Sequence, residues 1–267
     1  MKSGTTSLHY YLGLHPEIFM SKTKELDFFI PEYNWDKGIE WYKLNFTGKS
    51  KIYGEASPRY TNYPIRDGVA ERIRSVVPNT KLIYIVRDPI ERIISHYVHR
   101  CFMAKEHRKI SEAFSDIKYI CVSQYYMQLK QFIKYFPRYN VLIITSEDLK
   151  NNRLQTLQKV FKFLDVDDTF YSSRFFTSWH LSKYKRRKTR MGLRFEKKIF
   201  PIYQKIIDLL PFEMRGVFKE IIFFPFSRKV ERPVLDNNLR EKLISILKDD
   251  INQLREYTGC DFKDWSL

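Results

Sequence analysis

The sequence predicts an α/β fold around a central, mainly parallel sheet. Three observations carry that expectation. Two apolar runs, LIYIV within residues 81–88 and VLIIT within 140–149, are continuous rather than alternating, as in strands covered on both faces. A further short strand, KIYGEAS at 51–57, precedes them. Amphipathic stretches separate the strands, and strand–helix alternation is the pattern of a parallel sheet.

Between the first two strands, IRDGVAERIRSVVPNT reads as a short helix stopped by Pro78. After the second, DPIERIISHYVHR has Asp88 as N-cap and Pro89 at the first helical position. Its Ile90, Ile93, Ile94 and Tyr97 share one face. CVSQYYMQLKQFIKYFP gives a second helix that ends at Pro137, and NRLQTLQKVFKFLDV follows the third strand as another. The chain closes with a long helix, DNNLREKLISILKDDINQLREYTG, capped by Asn237 or Asn238 and ended by Gly259.

Residues 183–232 break the alternation and predict no strand–helix unit. The stretch 183–198 carries nine basic residues against one acid, and an apolar, aromatic continuation is interrupted by Pro201, Pro211 and Pro225. A basic, aromatic helical insertion at about 183–228 is expected, set in a single domain of residues 1–267.

The 267 residues are 43% hydrophobic and 16% aromatic, ample for a large core. No apolar run approaches the roughly 20 residues that span a bilayer, and no signal-peptide pattern is present. These features, with a mean hydropathy of −0.44, predict a soluble, unexported chain. The three cysteines fit neither a disulfide framework nor a zinc spacing and are expected as free thiols in a reducing compartment. A formal charge of +16 favours an anionic partner. Charge alone cannot choose that partner, and two readings of the 183–226 region follow. One is a nucleic-acid surface on the basic tract 183–198 with nearby Phe195, Phe200 and Tyr203. The other is a peripheral contact of 183–226 with anionic lipid or a partner, through the basic run and its apolar, aromatic continuation.

The opening stretch, KSGTTS, fits an anion cradle. Gly4 admits close approach of backbone to ligand. Ser3, Thr5, Thr6 and Ser7 offer hydroxyls, Lys2 a point charge, and the following helix its unpaired N–H groups. This is not the mononucleotide phosphate loop G-x-x-x-x-G-K-[ST], because the Lys precedes a lone Gly.

KSGTTSL, LHPEI, KELDFF, GEASPRY, IVRDPIERIISHY and a closing GCDFKDW, in that order, resemble the sulfotransferases that use 3′-phosphoadenosine 5′-phosphosulfate (PAPS). The resemblance is nearest to carbohydrate-type members, including heparan sulfate enzymes and bacterial relatives, and covers residues 1–165 and 229–267. It implies a P-loop-like three-layer α/β fold with PAPS as sulfate donor and no metal. Lys2, Ser3, Gly4, Thr5, Thr6 and Ser7 would hold the 5′-phosphosulfate, and Arg87 with Ser95 the 3′-phosphate. Tyr125 would lie beside the cofactor, and Arg228, Lys229 and Arg232 in a basic loop closing over it. Glu25 would be the general base and Lys2 would stabilise the leaving phosphate. His96 reads as structural.

The chain departs from the heparan sulfate enzymes at Glu55-Ala56-Ser57-Pro58, where they carry a Lys after the Glu. Glu55 is therefore a second candidate base. The acceptor implied is a hydroxyl of a saccharide or glycolipid, and nucleic acid is not the expected partner. Relatives also carry an apolar strand just before the cradle. The resemblance thus implies that the first strand is missing here and that the chain is an N-terminally truncated form of impaired activity. Its location would be cytoplasmic in a bacterium, or the Golgi lumen with an N-terminal anchor.

Overall fold

The computed structural model describes residues 2–103, 105–177, 186–189, 191–192, 194–195, 198–199, 222, 224–229 and 231–267. They fall into two compact units: Met1–Ile93 with Phe114–Trp179 and Leu235–Leu267, and Ile94–Ala113 with His180–Val234.

In the first unit, α1 (Thr5–Leu12) leads into β1 (Ile18–Met20). Helix α2 (Gly38–Lys43) precedes β2 (Ile52–Gly54), which pairs parallel to β1 with Ile18 opposite Ile52. Helix α3 (Val69–Val76) leads to β3 (Leu82–Val86), and α4 (Pro89–Phe102) starts at its end and runs into the second unit. Two one-turn helices follow: α5 (Ile110–Ala113), which belongs to the second unit, and α6 (Ile117–Ile120), with which the first unit resumes. Then come α7 (Tyr125–Ile133), β4 (Val141–Thr145), α8 (Ser146–Asn151) and α9 (Arg153–Leu164). Strand β4 pairs parallel to β3 with Leu82 opposite Val141. Helix α10 (Asn237–Thr258) closes the unit.

The continuous apolar runs work because both faces of β3 and β4 are covered. Successive side chains point to opposite faces. Ile83, Ile85, Leu142 and Ile144 join the core formed by α1 and α9, with Leu8, Tyr11, Leu157, Val160 and Phe161. Tyr84, Val86, Val141 and Ile143 join the other, with Tyr125 and Leu129 of α7, Ile251 and Leu254 of α10, and Phe262 and Trp265 of the C-terminal motif. The first unit is thus layered helix–sheet–helix. His15 of the LHPEI motif is structural: it is buried, accepts the Glu17 N–H at Nδ1, and bonds the Asp167 carbonyl through Nε2 at 2.9 Å.

Some expected boundaries move. The strand expected over 140–149 stops at Thr145, whose hydroxyl accepts the Asp148 N–H at 2.9 Å and starts α8. The final helix is capped by Asp236 rather than Asn237 or Asn238, because the Asp236 carboxylate accepts the Leu239 N–H at 2.7 Å. Gly259 ends it in the left-handed region, φ 72°, as anticipated. Cys121 is buried and Cys101 half-buried, whereas Cys260 is exposed; none of the three is in a disulfide.

The second unit carries two strands where the sequence reads as a helical insertion at about 183–228. Here β5 (Arg186–Lys188) and β6 (Ser227–Lys229) pair antiparallel, setting Arg186 opposite Lys229 and Arg187 opposite Arg228. Basic residues fill all but one of these positions, so no apolar alternation betrays the strands in sequence. Among the described residues, no helix is long and apolar enough to cross a membrane. Phe200 and Tyr203, and most of the region read as nucleic-acid or lipid surface, lie outside the described residues.

Candidate functional site

The KSG loop lies over the C-terminal ends of β3 and β4. Gly4 caps α1 with φ 98°, a region open to glycine, and no side chain caps the helix. The first intrahelical bond runs from the Leu8 N–H to the Gly4 carbonyl at 3.1 Å, leaving the N–H groups of Thr5, Thr6 and Ser7 without intrahelical acceptors. The first turn holds no acid. A Cβ on Gly4 would sit 3.6 Å from Leu149 and 3.8 Å from the Ser146 hydroxyl, so the loop passes close above the start of α8, just beyond β4. Arg87, the residue after β3, donates to the Lys2 carbonyl at 3.4 Å and to the Glu91 carboxylate at 3.1 Å. Asp88 fastens this edge from below: it accepts the Glu91 N–H at 2.9 Å and the Ser266 N–H at 2.6 Å. Helix N–H groups, hydroxyls and the cations Lys2 and Arg87 form a donor set whose chemistry fits a phosphosulfate anion.

Glu25 sits in a charged cluster. Lys24 donates to its Oε1 at 2.8 Å and Arg59 lies 3.3 Å from its Oε2. Burial alone would raise the Glu25 carboxyl. The Lys24 hydrogen bond and the charges of Lys24 and Arg59 outweigh it and hold the group below the ordinary glutamate value. Arg59 also pairs with the buried carboxylate of Asp27. Burial raises Asp27 against the pull of Arg59. Lys2, Glu25 and Asp27 have left-handed backbone, with φ of 71°, 65° and 47°.

Glu55 is in a different state. Tyr60 donates to its Oε1 at 2.7 Å, Tyr42 to the same oxygen at 3.2 Å, and Ser57 to its Oε2 at 2.8 Å. Burial pushes its carboxyl up despite these donors. Both oxygens are engaged, tying its own loop together through Ser57 and Tyr60 and to α2 through Tyr42.

The remaining site residues belong to both units. Ser95 and His96 are buried on α4, in the part belonging to the second unit. Tyr125 is buried in the first unit, its ring centroid 5.7 Å from that of Trp265 and 6.0 Å from that of Tyr84. Arg228 and Lys229 form part of β6, and Arg232 is exposed beyond it. Sequence reasoning missed Asp27 and Arg59. Both stand inside the motifs KELDFF and GEASPRY, and a carboxylate and a guanidinium were there to be paired. It also passed over Arg92, fully buried on α4, which donates to the Tyr119 carbonyl at 2.6 Å and to the Ser123 hydroxyl.

Residues 1–197 match the sulfotransferase domain family, and the chain belongs to that family. It is 33% identical over 181 residues to heparan sulfate glucosamine 3-O-sulfotransferase 5 of Homo sapiens, covering 62% of this chain and 51% of that protein. It thus spans about half the length of that relative. It is 43% identical over 102 residues to the membrane-associated sulfotransferase kil1 of Dictyostelium discoideum, covering 36% of this chain and 21% of that one. The crystal structure of a sulfotransferase from Alicyclobacillus acidocaldarius shares the fold, with a TM-score of 0.69 and 21% identity over 99% of this chain and 94% of the other.

Proposed function

We propose that this chain transfers the sulfuryl group of PAPS to a hydroxyl of a saccharide or glycolipid, with Glu25 as general base. The observation that carries the reading is the acid-free turn of α1, with the Gly4 loop laid over the strand ends and Arg87 reaching the Lys2 carbonyl. Heparan sulfate enzymes among the relatives support a saccharide acceptor.

The bound donor would supply the sulfuryl group and, on its far side, a phosphate leaving group. The N–H groups of Thr5, Thr6 and Ser7 and the Lys2 ammonium stabilise negative charge gathering on that phosphate. Arg87 and Ser95 hold the 3′-phosphate, with Tyr125, Arg228, Lys229 and Arg232 as further cofactor residues. Glu25 takes the proton of the acceptor hydroxyl as its oxygen bonds to sulfur in line with the departing phosphate oxygen. Two features favour Glu25 over Glu55. Its side chain is 36% exposed, and it is held ionised at neutral pH. Glu55 already receives three hydroxyl hydrogen bonds.

The test is incubation with labelled PAPS and a panel of saccharide and glycolipid acceptors, with products identified by mass spectrometry. Glu25→Gln should keep binding 3′,5′-bisphosphoadenosine and lose turnover by about 100-fold or more. Normal turnover by that variant would remove Glu25 as the base. Failure to bind the nucleotide at all would remove the PAPS reading.

A further inference from the structure

We propose that Arg59 is a positioning residue: anchored by the buried carboxylate of Asp27, it fixes the orientation of the Glu25 carboxylate. This rests on the reading of Glu25 as the base. One guanidinium nitrogen, Nη1, serves both acids, bonding Asp27 Oδ2 and lying 3.3 Å from Glu25 Oε2. The two acids differ sharply in freedom. The Asp27 side chain is 4% exposed and that of Glu25 36%. The buried acid is therefore the fixed end of the bridge and the half-open one the working end.

Asp27 is also fixed through its backbone. Its N–H donates to the Ser57 hydroxyl at 3.0 Å, which in turn donates to Glu55 at 2.8 Å. Ser57 and Arg59 belong to one tight turn, Pro58–Tyr60 and its cap, pinned by the bond from the Tyr60 hydroxyl to Glu55. The same turn thus clamps Asp27 twice, by backbone and by side chain. On the open side, the Tyr33 ring covers the guanidinium, 5.2 Å from ring centroid to carbon. Arg59 is held from several directions, and its third contact is the candidate base. Lys24, on the same segment as Glu25, holds the other oxygen at 2.8 Å. A carboxylate held at both oxygens presents its remaining lone pairs in one direction, which is what a base needs. Glu55 has a part in the same network, since it sets the turn that carries Arg59.

The test reads Glu25 directly, without acceptor or donor. The 267-residue chain is labelled with ¹³C at the glutamate carboxyl carbons, and the Glu25 signal is assigned by its loss in Glu25→Gln. Arg59→Ala alone would leave Asp27 buried and unpaired and threatens the fold. The informative variant is Asp27→Asn with Arg59→Gln, which removes one charge of each sign. Thermal unfolding checks that it is folded. The Glu25 titration midpoint should move upward in this variant, because the lost guanidinium lies 3.3 Å from Glu25 Oε2 and helps to hold its carboxyl down. Arg59→Lys should give an intermediate midpoint, since an ammonium cannot reproduce the guanidinium's geometry. A Glu25 signal that titrates as in the wild type in the folded double variant overturns the proposal. That result, with Glu25→Gln inactive, would sink the role of Arg59 and leave the base reading standing. A moved signal with Glu25→Gln fully active would do the reverse.

Discussion

Asp250 makes the fold's stability depend on pH in a direction opposite to that of most carboxylates. It projects from α10 and accepts the Tyr126 N–H at 3.0 Å and the Met127 N–H at 2.7 Å, at the start of α7. Those bonds favour the ionised form, while burial at 8% exposure opposes it. Burial wins and raises the group from 3.8 to about 6. The folded chain therefore keeps this proton up to about pH 6, while the unfolded chain releases it near 3.8. The stabilisation is full below the lower value and is lost as pH rises through the upper one. The gap between 3.8 and about 6 corresponds to roughly 3 kcal/mol. Asp250→Asn cannot titrate, so the difference between wild type and variant isolates the group. Unfolding followed by circular dichroism from pH 4 to 7.5 should show the wild type losing most of that amount relative to the variant. For a chain of this size the change is about 6–12 °C in Tm. A difference that is flat, or that rises with pH, would mean that the two N–H bonds outweigh burial, and would refute the reasoning.

Three further outcomes are expected. Gly4→Ala should cost about 1–2 kcal/mol from backbone alone, since its new Cβ meets neighbours only at 3.6 and 3.8 Å, and calorimetry should show weaker nucleotide binding as well. Arg87→Ala should weaken 3′,5′-bisphosphoadenosine binding about 10- to 150-fold by titration calorimetry, the worth of charge-assisted hydrogen bonds to phosphate. Leu247→Ala, at a fully buried position of α10, should destabilise by about 2–5 kcal/mol in denaturant unfolding.

The β3–β4 pair was legible because LIYIV and VLII are unbroken apolar runs, a pattern that a two-faced parallel strand requires. The helices that cover it were legible from their period. Strand β1 was not, because three residues after a Pro carry too little periodicity to separate strand from loop. Strands β5 and β6 escaped for another reason: their residues are nearly all basic, so the sequence shows no apolar alternation there. At the site, the cradle was readable as a run of small and hydroxylated residues beside a Lys. The Asp27–Arg59 pair was not, because the two residues lie 32 positions apart and only the folded turn brings them together. Nor does sequence separate Glu25 from Glu55, since both are acids in family-like motifs; the difference in their hydrogen-bond partners is visible only in the folded chain.

Five non-glycine residues among those described have left-handed backbone, and three of them are Lys2, Glu25 and Asp27. Each carries a conformational cost of about 1–2 kcal/mol that glycine would not. A library of this chain selected for thermal resistance alone would therefore drift toward glycine or asparagine at these positions. It would shed the cradle's lysine, the proposed base and the anchor of Arg59 in the process. Engineering for robustness and engineering for turnover pull against each other here at three identifiable codons, and a stabilised variant should be built by changing every region but these.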